Sequence, residues 1–121
     1  MIVRRAQAND IATIQALENE AFGLTWDRAT FQKELERPNG FTAVAELEGR
    51  TAGAALLVWA ADEVQINSFV LGSAWRGRRL SIPFLGALMA WCQKERFSWI
   101  TLEVKWANRP AVGLYLSLIH I

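Results

Sequence analysis

The residues from Trp75 to Ser81 place three arginines, Arg76, Arg78 and Arg79, around one glycine, Gly77. They lie between an apolar run, Ile66 to Leu71, and an amphipathic one, Leu80 to Cys92. That order predicts a strand, a basic turn and a helix. The first N–H groups of a helix lack partners within it and carry the positive end of its dipole. Arginines at such an entrance make a candidate clamp for a diphosphate, so an anionic cofactor is expected. Composition removes other chemistry. Cys92 is the only cysteine and His120 the only histidine, which leaves no intrachain disulfide, no Ser-His-Asp or Cys-His arrangement and no multi-histidine metal site. No metal site is expected, and Cys92, on a helical apolar stripe, is read as a buried thiol.

Those groups need a frame to position them. The chain has 121 residues, 52% hydrophobic and 21% charged, which predicts one domain over residues 1–121 with a single core. Thirteen basic and 12 acidic residues give a formal net charge of +1. No global field would therefore recruit nucleic acid or an anionic membrane. No apolar run approaches the roughly 18 residues of a membrane span, and the first residues alternate as a strand does rather than as a secretion signal. A cytoplasmic location is the expectation.

Ile2 to Arg5 reads as a first strand. Asn9 is placed to cap a helix carrying Ile11, Ile14, Leu17 and Ala21, and Thr25 to cap a second through Phe31 and Leu35, ending near Pro38 and Gly40. Phe41 to Leu47 and Ala52 to Ala60 are apolar runs joined by residues 48–51, which suits a hairpin. Glu63 to Leu71 is a further strand, Leu80 to Glu95 a long helix with Pro83 in its first turn, and Trp99 to Val104 a fifth strand. Strand alternation puts Glu103 on the face opposite Leu102 and Val104. Asn108 can cap a last helix with Pro110 in its first turn and Val112, Leu114, Tyr115 and Leu118 beyond. The order β-α-α-β-β-β-α-β-α predicts an α+β (mixed α/β) class with a mostly antiparallel sheet, and excludes a nearly pure parallel one.

Taken together, these residues resemble the GNAT superfamily of acetyl-CoA-dependent N-acetyltransferases, and most closely its RimI branch, which acetylates the N-terminal alanine of ribosomal protein S18. The carriers are Glu20, Ala21 and Phe22 with Trp26; Asp62 and Glu63; the turn from Arg76 to Ser81; Leu102 to Lys105; Asn108; and Leu114 to Leu118. The resemblance implies the GNAT fold, and acetyl-CoA as co-substrate with no metal. It implies Glu103 as general base and Tyr115 as general acid. The backbone of Phe69, Val70 and Leu71 would pair with the pantetheine arm, and Arg76, Gly77, Arg78, Arg79, Leu80, Ser81 and Ile82 would hold the diphosphate. Asn108 would orient the arm, while Leu24 and Trp26 would border the way in for the acceptor protein's N-terminus. Two departures stand out. Arg79 and Ser81 occupy positions where the family has small residues, so the turn is expected to bind in an altered way. The family's final β-hairpin is missing, and residues 116–121 resemble translated sequencing adapter, so a C-terminally truncated chain with an unpaired sheet edge is expected.

Acetyl transfer to a protein N-terminus is thus the leading expectation. Transfer to a small amine or a lysine is the nearest alternative, and a non-catalytic CoA-binding or interaction domain the alternative of another class. A dinucleotide-binding module is weaker, since neither Gly-x-Gly-x-x-Gly nor a P-loop occurs.

Overall fold

The computed structural model describes residues 1–23, 26–105 and 114–120, with side chains up to residue 102. Six strands form one sheet in sequence order: β1 (Ile2–Arg5), β2 (Gly40–Leu47), β3 (Arg50–Ala60), β4 (Glu63–Leu71), β5 (Trp99–Lys105) and β6 (Leu114–His120). Neighbours are antiparallel except β4 and β5, which run parallel because the chain returns through a helix. That helix, α3 (Ser81–Lys94), covers one face of the sheet, while α1 (Ile11–Phe22) and α2 (Arg28–Leu35) cover the other.

Coverage on both faces explains why Phe41 to Ala45 are all buried although strand side chains alternate. Ala43, Ala45, Ala55 and Leu57 meet Phe84, Leu88 and Cys92 of α3. Val44, Ala54, Leu56 and Val70 meet Ile11, Ile14 and Phe31. Small alanines in the middle strands leave room for the large helix side chains, and such interdigitation is what a close-packed interior requires.

The local signals acted through neighbouring residues in three places. The first helix follows a single 3₁₀ turn over Ala8–Asp10, with Asp10 rather than Asn9 at its N-cap position and no side-chain hydrogen bond into the helix. The Asp10 carboxylate turns back instead, accepting the Gln7 N–H at 2.7 Å and two Arg4 nitrogens at 2.8 and 3.0 Å. The second helix is capped by Asp27, whose Oδ1 accepts the Thr30 N–H at 2.9 Å and the Thr30 hydroxyl at 2.7 Å; Thr25 lies outside the described residues. The β2–β3 connection is a two-residue turn, Glu48 and Gly49 at φ 56° and 73°, so β3 begins earlier than its apolar run.

The last element is a correction. The helix expected through Leu114, Tyr115 and Leu118 is instead strand β6, antiparallel to β5 with Val104 opposite Tyr115 and Glu103 opposite Leu116. Leu114, Leu116 and Leu118 recur with period two, so the segment satisfies strand patterning as well as helical spacing. An unsatisfied β5 edge, which would otherwise leave a row of backbone groups bare, decides between them. β6 thus takes the β5 edge and is itself the last strand of the sheet.

Candidate active site

The site is built on a fork. β4 pairs with β5 from Glu63 opposite Trp99 to Ile66 opposite Leu102, and beyond Ile66 that pairing stops. On its other side β4 stays bound to β3, but with a shift: Leu57 opposes Ile66 and Leu56 opposes Ser68, leaving Asn67 as an extra residue. Such a bulge bends and twists its strand. Here it turns Asn67 to Leu71 away from β5 while β3 keeps hold of them. Gly53, opposite Leu71, permits that hold, because a Cβ there would stand 2.6 Å from the Val70 carbonyl oxygen. The β5-facing backbone of β4 past the bulge is thereby left without a strand partner among the described residues, and can take an extended amide-bearing ligand as an added strand.

Phe69, Val70 and Leu71, the residues that the resemblance implies for the pantetheine arm, lie in this segment. Phe69 stacks on Phe84 at 4.8 Å between ring centroids, which fixes it to the α3 side, whereas Val70 packs on the α1 side. Alternation then puts Ser68 with Val70 on the α1 side, where its hydroxyl donates to Glu18 Oε1 at 2.6 Å. Burial pushes the Glu18 carboxyl above the usual carboxylate range, and the Ser68 bond acts in the opposite sense. The sequence reading missed both residues.

After β4 the chain makes a 3₁₀ turn, Ser73–Trp75, then the basic turn, and enters α3. Gly77 and Arg79 adopt φ of 79° and 57°. Arg79 thus keeps the left-handed backbone that a glycine would adopt freely, with its side chain exposed to solvent. Leu80 makes no side-chain cap to α3, and Pro83 has no N–H. The Ser81 and Ile82 N–H groups are therefore uncapped by any side chain, which is the arrangement a phosphate group uses at a helix entrance. Ser81 and Ile82 themselves are exposed.

The three arginines divide the work. Arg76 turns inward: its Nε donates to the Leu71 carbonyl at 3.1 Å, and one terminal nitrogen lies 3.8 Å from Glu20 Oε1. That nitrogen is buried with no hydrogen-bond partner among the described residues. Glu20 in turn accepts the Ser73 N–H at 2.8 Å, tying α1 to the turn. Arg78 lies over the buried Trp75 ring at 4.8 Å, with Arg50 of β3 over the same ring at 5.5 Å. Arg50 extends the basic surface, and no local motif announces it because only the hairpin brings it there. Arg79 is exposed and makes no ion pair among the described residues.

Trp26 is exposed on the α1–α2 side, tilted against Phe31 at 5.3 Å, and its carbonyl accepts Gln15 Nε2 at 3.2 Å. Leu24 and Asn108 lie outside the described residues. The Glu103 backbone follows Leu102 on β5, where the fork opens, and the Tyr115 backbone lies on β6 opposite Val104. Their side chains lie outside the described residues. Among the described residues no group of three His, Cys, Asp or Glu is placed to hold a metal ion.

Comparison with known proteins agrees with this geometry. A protein of Bacillus subtilis (strain 168), provisionally assigned as a ribosomal protein bS18-alanine N-acetyltransferase, is 29% identical over 114 residues, covering 93% of this chain and 76% of that protein. The crystal structure of the ribosomal-protein-S18-alanine N-acetyltransferase from Escherichia coli superposes with a TM-score of 0.77 at 18% identity, over 88% of this chain and 68% of that one. The PaiA N-acetyltransferase of Thermoplasma acidophilum, solved in complex with coenzyme A, gives a TM-score of 0.76 at 13% identity, over 88% and 80% of the two chains. These structures share the fold, and the sequence pattern of one family spans residues 11–118. The forked sheet, the glycine-like turn and that match lead to one conclusion: the chain belongs to the acetyltransferase (GNAT) family.

Proposed function

We propose that the chain transfers acetyl from acetyl-CoA to the N-terminal α-amino group of a protein in the cytoplasm, with the alanine-starting ribosomal protein S18 as the model acceptor. The observation that carries the reading is the fork, which leaves the β5-facing edge of β4 from Asn67 to Leu71 without a strand partner among the described residues, beside an uncapped helix entrance. Acetyl-CoA matches that arrangement end to end. Its pantetheine amides pair with Phe69, Val70 and Leu71, and its diphosphate rests on the turn from Arg76 to Ile82, whose uncapped N–H groups and outward Arg79 supply donors and charge. Asn108 orients the pantetheine arm, and Leu24 and Trp26 border the acceptor's approach.

An α-amino group has a pKa of about 7.7–8.0 and is largely protonated at neutral pH, so attack on a thioester needs a base. Glu103 takes that proton, directly or through one water. The freed nitrogen lone pair bonds to the thioester carbon, and a β4 N–H stabilises the oxygen as it gains charge. The C–S bond then breaks. Tyr115 gives its proton to the departing thiolate, since a phenol of pKa about 10 lies close to a thiol of about 8.5. The second N–H proton, lost as the tetrahedral nitrogen becomes an amide, returns to the Tyr115 phenolate through solvent, so the products are an amide and free CoA thiol, with the Glu103 proton released to solvent.

The test offers the chain acetyl-CoA with an alanine-starting peptide, and separately with lysine and small amines, and follows acetylation by mass spectrometry. Peptide acetylation is the expected result, and acetylation of free amines alone would overturn the acceptor assignment. Calorimetric CoA binding without any transfer would support the non-catalytic alternative. Glu103→Gln is expected to lower turnover about a hundredfold at neutral pH and to recover part of it under alkaline conditions, where the amine loses its proton unaided. A loss independent of pH would remove Glu103 from the base role.

A further inference from the structure

The α1 side of the fork holds a feature that acetyl-CoA binding does not use. Ser68 is the first β4 residue past the bulge, half-buried, and its hydroxyl proton is committed to Glu18 across a 2.6 Å bond between α1 and β4. Among the described residues no basic side chain pairs with Glu18. A hydroxyl that has given its one proton to a carboxylate keeps only lone pairs, so toward a ligand it acts as an acceptor. It sits on the same face as α1 and α2, opposite the side taken by Phe69 and α3. Across the fork the next β5 position is Glu103.

We infer that Ser68 is the β4 contact for the acceptor's amino nitrogen, and that Glu18 is the positioning residue that fixes the Ser68 hydroxyl as an acceptor. This rests on the acetyl-transfer reading. An attacking amine must aim its lone pair at the thioester carbon, which requires its N–H bonds to be held on the other side. Ser68 accepts one N–H while the proton lost in the reaction leaves toward β5. A hydroxyl turned the other way, as a donor, would bind the nitrogen lone pair and block attack. Glu18 prevents that orientation. The burial that raises the Glu18 carboxyl is the cost of keeping an acceptor without a cation beside it.

Steady-state kinetics on the whole chain test this, with an alanine-starting peptide and acetyl-CoA varied in turn. Ser68→Ala is expected to raise the peptide KM about tenfold and leave the acetyl-CoA KM unchanged, as for the loss of one hydrogen bond. Ser68→Thr, which keeps the hydroxyl, should restore it. Glu18→Gln, whose amide can donate to Ser68 and so reverse the bond, should match Ser68→Ala, and the double variant should be no worse than either alone. An unchanged peptide KM, or equal rises in both KM values, would overturn the inference while leaving the acetyl-transfer reading intact. A wild-type chain that binds CoA and acetylates nothing would overturn both. Melting temperatures of Ser68→Thr and Glu18→Gln at or above that of the wild type separate a lost contact from a lost fold.

Discussion

The two ends of α1 treat their carboxylates differently. At the start, Asp10 accepts two Arg4 nitrogens and the Gln7 N–H, while the same guanidinium reaches Glu46 at 2.6 Å. The Arg4 guanidinium holds the Asp10 carboxyl below the usual carboxylate range, against the opposing effect of burial. Towards the other end, half-buried Glu18 accepts from the Ser68 hydroxyl, and Arg76 keeps a buried nitrogen, without a hydrogen-bond partner among the described residues, 3.8 Å from Glu20. The first cluster joins β1, β2 and the start of α1 with its polar groups paired. The second faces the fork and the basic turn, with hydrogen-bonding capacity unspent among the described residues. Full pairing holds a fold together, whereas spare capacity in a half-buried place is what a ligand can use.

Removing the paired end should have the largest effect. Asp10→Ala strips Arg4 and the Gln7 N–H of their acceptor and is expected to cost about 1–3 kcal/mol at neutral pH, read from the urea midpoint. Because the native Asp10 carboxyl is lowered, its contribution is present above the ordinary carboxylate pKa and is lost as pH falls through the depressed value. The gap between variant and wild type should therefore close in acid.

Glu18→Gln should behave in the opposite way. The native Glu18 carboxyl is raised, so the wild type is penalised as pH climbs through that raised value and is relieved below the ordinary carboxylate range. The variant is expected to gain on the wild type from acid to neutral pH in the same urea series. A variant that instead loses stability as pH rises would place Glu18 with Asp10 and erase the distinction. The smallest effect is expected at the turn. Arg79→Gly relieves a left-handed backbone at φ 57° and should stabilise by about 0.5–1 kcal/mol, part of the relief being offset by the freer unfolded glycine.

The bounds of β4 and α3 were legible from the sequence because apolar periodicity and local punctuation agree there. Glu63 to Leu71 is an unbroken strand pattern, and Pro83 fits only the first turn of a helix. The arginines of the turn were legible as residue types but not as directions. Arg76 is drawn inward by the Leu71 carbonyl, an interaction that exists only once β4 has turned into the 3₁₀ segment. The Asn67 bulge, Glu18 against Ser68, and Arg50 over Trp75 depend on sheet register or on partners far away in the chain, so no local window contains them. At Leu114 to His120 the sequence satisfied two periods at once, and a bare neighbouring strand settled the matter.

The lone thiol bears on how such measurements are made. Cys92 is fully enclosed beneath α3, and burial pushes its thiol up to about 11. Colorimetric sulfhydryl reagents count thiolates that they can reach, so at neutral pH they would register coenzyme A set free by turnover with almost no background from the protein. Slow labelling of Cys92, followed over hours without acetyl donor, would in turn clock how often α3 lifts from the sheet.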